Sequence, residues 1–180
     1  MMTKEQEIKF LEFCDNLHKF IIQNGWQGAS YASVAMMFAV AKKLGIDAKP
    51  CIGECIQKNQ ELFDHSWLLI DEKIYDIAIS MPLELESATG PVFASIDMKT
   101  KKEVDIEYGI KFNGLGGEAL IPFNQNIYRY LRGCDALKLI ELIIDLAKNS
   151  HIYMTRKWME QNLSNEYFAL VDNRPYNCSK

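Results

Sequence analysis

The sequence predicts an α+β fold in which a buried helix packs against an antiparallel sheet and further helices lie toward the C-terminus. Residues 30–41 are apolar on nearly every face, which is typical of a helix inside a domain. Residues 65–70 and 73–79 are apolar runs separated by two residues, a spacing that indicates a β-hairpin. Amphipathic segments near the C-terminus supply the additional helices.

The length and composition favour one domain. A chain of 180 residues with 48% apolar residues has enough material for a sizeable core, whereas two full domains would be cramped. We expect a single domain over residues 1–180, with its core at about 25–110 and a C-terminal helical extension at about 124–165.

The first predicted element is an amphipathic helix over residues 3–24. Its apolar residues recur every three or four positions. They are Ile8, Leu11, Cys14, Leu17 and Ile21. His18 falls in this helix and is expected to have no chemical role. Glycines at 25 and 28 then let the chain turn before the buried helix.

The buried helix should begin near Ser30 and end at Gly45, a plausible C′ glycine. A strand over 48–57 follows. It contains Cys51 and Cys55, which in an extended strand lie about 13 Å apart, too far to share one tetrahedral zinc ion. We therefore expect no metal site here and interpret both cysteines as small half-buried apolar residues.

The hairpin makes a specific prediction about two polar residues. If Asp71 and Glu72 form a two-residue turn, Trp67 faces Asp76, and Asp76 shares a sheet face with His65 on its diagonal. A three-residue turn without a bulge would put the two side chains on opposite faces. Asp-Glu is not a favoured hairpin dipeptide, so the register needs structural support.

The rest of the chain is less informative. Residues 91–96 and 104–108 read as paired strands. The segment with Gly114, Gly116 and Gly117 matches no phosphate-binding motif and is expected to be a mobile loop, with a lid as one possibility. Asp135 should cap a helix, and a last helix is expected over 152–163.

Charge and apolar runs exclude several classes of protein. A net charge of −4 without a dense basic block argues against nucleic-acid binding. No apolar run is long enough to cross a bilayer, and the charged first ten residues argue against a signal peptide. Five cysteines without framework spacing favour reduced thiols. We expect a cytoplasmic protein with a peptide or small-molecule substrate, without a cofactor, a membrane or a nucleic acid as partner.

Ser30, His65 and Asp76 form a candidate catalytic set. A histidine can take the proton of a nucleophile while a carboxylate orients the imidazole, and a nucleophile at a helix start also feels the positive end of the helix dipole. Gln27 is a candidate donor to a developing oxyanion. The alternative is structural: Ser30 caps its helix, His65 is a satisfied strand-end histidine and Asp76 is an ordinary hairpin residue.

The order of these elements resembles the transglutaminase-like superfamily, which is related to papain. The matching text is the helix from Ser30 into LGIDAK at 44–49, then CIG at 51–53, then HSWLLID at 65–71 and IYDIA at 74–78. The compact spacing is most similar to small bacterial leader peptidases. The resemblance implies a transglutaminase-like core that catalyses acyl transfer or amide and peptide hydrolysis. It carries the roles of nucleophile, base and orienting acid to Ser30, His65 and Asp76. Trp26 and Trp67 are candidates for the substrate cleft.

One position departs from the family pattern, because Ser30 stands where the family has cysteine. A neighbouring imidazolium can lower the pKa of a thiol so that it is present as a thiolate, whereas a serine hydroxyl must be deprotonated during attack. Three interpretations remain open. The protein is an inactive relative that keeps a peptide- or small-molecule-binding cleft, it uses a serine triad, or the serine replaces a native cysteine.

Overall fold

The computed structural model describes residues 2–57, 62–83, 89–134 and 138–175. It has an α+β fold, as predicted. The helices are α1 (Lys4–Gln23), α2 (Ser30–Lys43), α3 (Leu120–Phe123), α4 (Ile127–Gly133), α5 (Leu139–Asn149) and α6 (Arg156–Leu163). The strands are β1 (Ala48–Gln57), β2 (Leu62–Ile70), β3 (Lys73–Tyr75), β4 (Val92–Phe93), β5 (Ile96–Asp97), β6 (Lys102–Glu103), β7 (Ile106–Lys111), β8 (Ala169–Leu170) and β9 (Arg174–Pro175).

Helix α1 confirms the amphipathic pattern. Thr3 caps it through a reciprocal capping box with Gln6, which satisfies two backbone donors at the helix start. The predicted apolar stripe is buried along most of its length, although Ile8 remains exposed. This stripe packs α1 against α2 and α5 in the main core.

Helix α2 is the buried centre of the fold. Every residue from Ala32 to Ala41 is buried, which explains why its sequence has no polar face. Gly45 follows its end with φ +72, the left-handed conformation expected of a C′ glycine. Ser30 is the first helical residue, and Ala29 occupies the cap position without a side-chain hydrogen bond.

Strand β1 is the centre of the main sheet. It pairs antiparallel with β2 and β7 and parallel with β8, and the sheet order is β3-β2-β1-β7-β9. The β1–β7 register shifts at Glu54 and Cys55, where Gly109 adopts φ +74. Such a bulge re-aims side chains locally, and here Tyr108 is paired with Cys55.

The hairpin has the predicted register. Ile70 pairs with Lys73, and Leu68 pairs with Tyr75. Asp71 and Glu72 both have positive φ, at 50° and 61°, so the two-residue turn has the handedness that matches strand twist, despite its unfavourable dipeptide. Strand β3 ends at Tyr75, and the chain continues into a short 3-10 turn at Ala78–Ser80 rather than extending to residue 79.

Several predictions for the second half were wrong in detail. The predicted pairing of 104–108 with 91–96 is limited to its first residue, where Val104 N–H donates to Ser95 O at 3.0 Å. Residues 106–108 instead lie in β7, which joins the central strand β1, while β4, β5 and β6 form a separate small sheet. The last helix begins at Arg156 rather than 152, because Thr155 is its N-cap and its side chain accepts a hydrogen bond from the backbone N–H of Trp158. Asp135 lies outside the described residues.

The two faces of the main sheet contact different cores. Leu68 and Ile70 belong to the large cluster that includes α2, and Ser66 shares their face by alternation. Cys55, Trp67 and Tyr108 belong to a second cluster on the other face. None of the helices in the described ranges is long and apolar enough to cross a membrane.

Candidate functional site

His65 and Asp76 form a buried hydrogen-bonded pair. The distance between His65 Nε2 and Asp76 Oδ2 is 2.7 Å, and the two residues are 7% and 0% exposed. The hairpin register produces this contact, because it puts both residues on one face at diagonal positions. Two members of the predicted catalytic set therefore meet as the sequence implied.

Tyr108 completes this cluster. Its hydroxyl donates a hydrogen bond of 3.0 Å to the same Asp76 oxygen, and the backbone N–H of Ile79 donates to Oδ1 at 3.2 Å. Burial raises the pKa of the Tyr108 phenol, and the neighbouring Asp76 carboxylate raises it further, so the hydroxyl stays protonated and remains a donor. Three donors thus fix the carboxylate in one orientation.

The contact with Asp76 sets the role of the histidine ring. When Nε2 carries the proton and donates it to the carboxylate, the other nitrogen, Nδ1, presents a lone pair. None of the described residues forms a hydrogen bond with Nδ1. The ring is therefore oriented as a base whose acceptor atom is open to a proton donor.

Cys55 lies on the same sheet face, diagonal to His65, because Gly53 is the direct partner of His65. Its side chain is fully buried. Burial raises the pKa of the Cys55 thiol well above its ordinary value, and the nearby Asp76 carboxylate adds to this effect. The residue is a neutral thiol without access to substrate, so it packs the cluster and does not replace Ser30 as a nucleophile.

Ser30 lies close in the fold to the segment that follows Asp76. The backbone N–H of Gly28 donates to Met81 O at 3.2 Å, and the same short segment contains Ile79, whose N–H binds Asp76. The start of α2 is thus tied to residues 79–81 at the end of the sheet where β2 begins and β3 stops. Ser30 itself is 5% exposed.

The structure does not join Ser30 to the histidine by a hydrogen bond. Among the described residues, the Ser30 hydroxyl has no hydrogen-bond partner. Side-chain alternation also directs His65 to the face opposite α2. A contact between the two would therefore have to form past the edge of the sheet, beyond the end of β3 at Tyr75.

The predicted cleft residues have different surroundings. Trp67 is only 1% exposed and packs edge-on against Tyr108, with ring centroids 5.1 Å apart, so it supports the buried cluster instead of lining an open cleft. Trp26 and Gln27 line an open groove of about 520 Å³ immediately before α2. No hydrogen bond from the Gln27 side chain to a described residue is present.

Two carboxylates hold the glycine-containing loop that the sequence predicted to be mobile. Glu54 accepts hydrogen bonds from the backbone N–H groups of Phe112, Asn113 and Gly114, each at 2.9 Å. Its cross-strand partner Asp64 accepts from Gly116 at 2.7 Å. The loop is therefore anchored to the sheet at both ends. The sequence did not indicate this role for Glu54 and Asp64, because each is a single carboxylate without a recognisable motif.

Burial alone would raise the pKa of Glu54, but the three backbone hydrogen bonds outweigh it and lower the pKa below the ordinary 4.5. Ionised Glu54 therefore stabilises the fold above that pH, and this contribution is lost as the pH falls through the lowered value. Burial raises the pKa of Asp64, so the contribution of Asp64 to stability changes with pH in the opposite direction. Substitution of one residue at a time is needed to separate the contributions of Glu54 and Asp64.

We expect Glu54→Gln to be less stable than the wild type at pH 7 and to lose less stability as the pH falls below 4.5, because the variant lacks the carboxylate whose pKa is lowered by folding. Thermal unfolding across this range measures the effect. Glu107→Gln, an exposed residue of β7, is the control. A stability difference from the wild type that is constant with pH would contradict the prediction.

Comparisons of the chain with family models, curated proteins and solved structures find no match. In the described part of the chain, no three histidine, cysteine or acidic residues are grouped closely enough to hold a metal ion.

Proposed function

We propose that this protein has a transglutaminase-like core and catalyses acyl transfer or amide hydrolysis. The observation that supports the proposal is the buried His65–Asp76 pair, held by Tyr108 and by the backbone of Ile79. An orienting carboxylate on one imidazole nitrogen with the other nitrogen open is the arrangement that a general base requires. The resemblance in element order, with Ser30 at the start of a buried helix, supplies the nucleophile.

In the proposed reaction, Ser30 Oγ attacks the carbonyl carbon of an amide while His65 Nδ1 takes the hydroxyl proton. The proton then passes to the departing amine as the C–N bond breaks, leaving an acyl ester on Ser30. Water or a second amine attacks the ester, His65 again takes and returns a proton, and the serine is regenerated. Gln27 is the candidate donor to the oxyanion of each tetrahedral intermediate.

A second function is a non-catalytic module that binds a peptide or small molecule in the same region. This alternative is favoured by one observation, that the Ser30 hydroxyl is not hydrogen-bonded to His65 and emerges from a helix packed on the other sheet face. It also agrees with a serine at the position where a thiol would be the stronger nucleophile.

The deciding experiment places a thiol at position 30. We expect Ser30→Cys to be alkylated by chloroacetamide near neutral pH about tenfold faster than an ordinary thiol, because His65 would favour the thiolate. Peptide mass spectrometry assigns the label to position 30 and separates it from the five native cysteines, Cys14, Cys51, Cys55, Cys134 and Cys178. The wild type, treated with a fluorophosphonate, should be labelled at Ser30.

The controls test the histidine. Adding His65→Ala to either protein should abolish the selective labelling, whereas His18→Ala should not, since the side-chain hydrogen bond of His18 to a described residue is with Ser80 Oγ. If position 30 reacts in neither protein, or if its reactivity does not depend on His65, the catalytic proposal fails and the binding module is favoured.

A further inference from the structure

A groove lies in front of α2, beside the turn that leads to Ser30. Its walls come from the end of α1, the turn before α2, the segment after the 3-10 turn and α5. The described residues that line it include Phe20, Asn24, Trp26, Gln27, Leu83 and Leu142, and no charged side chain is among them. A volume of about 520 Å³ is in the range of small-molecule and side-chain pockets.

Leu83 gives the groove an exposed apolar wall. Its side chain is 76% exposed yet lies directly over Gly28, where an added Cβ would be 3.2 Å from Leu83 Cδ2. Opposite it, Phe20 and Trp26 contact each other edge-on with centroids 6.4 Å apart. These surfaces fit a flat or branched apolar group.

The polar groups of the groove are two carboxamides that still have free hydrogen-bonding atoms toward the described residues. Asn24 donates through Nδ2 to Phe20 O, which leaves its Oδ1 without a partner among the described residues. Gln27 uses neither its amide N–H groups nor its carbonyl in a contact with them. Together they offer both acceptor and donor atoms, which complement a peptide bond.

We infer that this groove binds a large apolar side chain, aromatic or aliphatic, of a peptide substrate whose scissile amide lies toward Ser30. The inference rests on the proposed function, because the groove is lined by Gln27, three residues before Ser30, and its Leu83 wall lies over Gly28. None of the described lining residues is charged, so an acidic or basic side chain would lose hydration without a charged partner among them.

The test uses two blocked peptides, acetyl-Ala-Phe-Ala-amide and acetyl-Ala-Ala-Ala-amide. Binding is followed by the indole N–H resonance of Trp26, assigned by its loss in Trp26→Phe; Trp67 is in the core and serves as an internal reference. We expect saturable shifts with the phenylalanine peptide and at least about tenfold weaker binding of the alanine peptide, as the loss of one apolar group requires.

Leu83→Ser should weaken binding of the phenylalanine peptide about tenfold without unfolding the protein, because Leu83 is already mostly in solvent. Ile121→Ser, another exposed aliphatic residue outside the groove, should leave binding unchanged. Equal binding of the two peptides, or no effect of Leu83→Ser, overturns the inference.

The Ser30→Cys protein separates this result from that of the catalytic proposal. The phenylalanine peptide should slow alkylation at position 30, and the alanine peptide should not. If position 30 is unreactive but the Trp26 shifts and the effect of Leu83→Ser are found, the catalytic proposal fails and the groove stands as a peptide site. If position 30 reacts and the phenylalanine peptide does not protect it, the groove is not the substrate site.

Discussion

Asp76→Ala is expected to lower the free energy of unfolding by about 3–5 kcal/mol, because it removes one partner of a fully buried polar cluster and leaves the others without one. The imidazole of His65, the hydroxyl of Tyr108 and the N–H of Ile79 would all lose their acceptor, the fully buried Asp76 carboxylate. In a domain of this size each kcal/mol lowers the melting temperature by about 2–4 °C.

Chemical denaturation of the variant and the wild type measures this effect. Asp145→Ala, which removes an exposed carboxylate from α5, is the matched control and should change stability by less than about 0.5 kcal/mol. In a double-mutant cycle, Tyr108→Phe should cost less in the Asp76→Ala background than in the wild type, because its hydroxyl has already lost its acceptor. Additive effects would show that Tyr108 does not depend on the carboxylate.

Gly53→Ala is the second substitution with a large expected effect. A Cβ at this position would lie 2.4 Å from Val171 O and 3.3 Å from the ring of Trp67. The backbone oxygen belongs to the segment after β8, which is held to β1 by a hydrogen bond of 2.9 Å from Val171 N to Ile52 O. The extra methyl group must displace this segment, and we expect a loss of about 1–3 kcal/mol.

Hydrogen exchange distinguishes a displaced segment from general destabilisation. In Gly53→Ala, the amide of Val171 should exchange faster than the amides of α2 when the two proteins are compared at equal global stability. Gly133→Ala is the control, because it makes the same change in α4 where nothing lies within 4 Å of the added atom. An unchanged stability and an unchanged Val171 amide would contradict the predicted clash.

Gly53 also connects this packing to the candidate site. It is the direct cross-strand partner of His65, so a methyl group there would lie on the same face as the imidazole. The absence of a side chain lets the C-terminal segment approach the sheet beside the histidine. Substitution at Gly53 is therefore expected to alter both the stability and the environment of His65.

Local sequence patterns determined the helices and strands in the first half of this protein. The fully apolar sequence of α2, the stripe of α1 and the two runs separated by Asp71 and Glu72 predicted their elements, because burial and side-chain alternation act over a few neighbouring residues. The same alternation placed Asp76 on the face of His65, and the structure shows the contact. The pairing of these two residues was thus encoded within a dozen positions.

Tertiary structure alone decided what surrounds that pair. Tyr108 reaches Asp76 because β7 pairs with β1 across a bulge at Gly109, and Glu54 binds a loop almost sixty residues away. Such contacts depend on strand order and register between distant segments, which periodicity within one segment does not specify. For the same reason the sequence could align Ser30 with a nucleophile, but only the packing of α2 on one sheet face fixed where its hydroxyl lies relative to the imidazole.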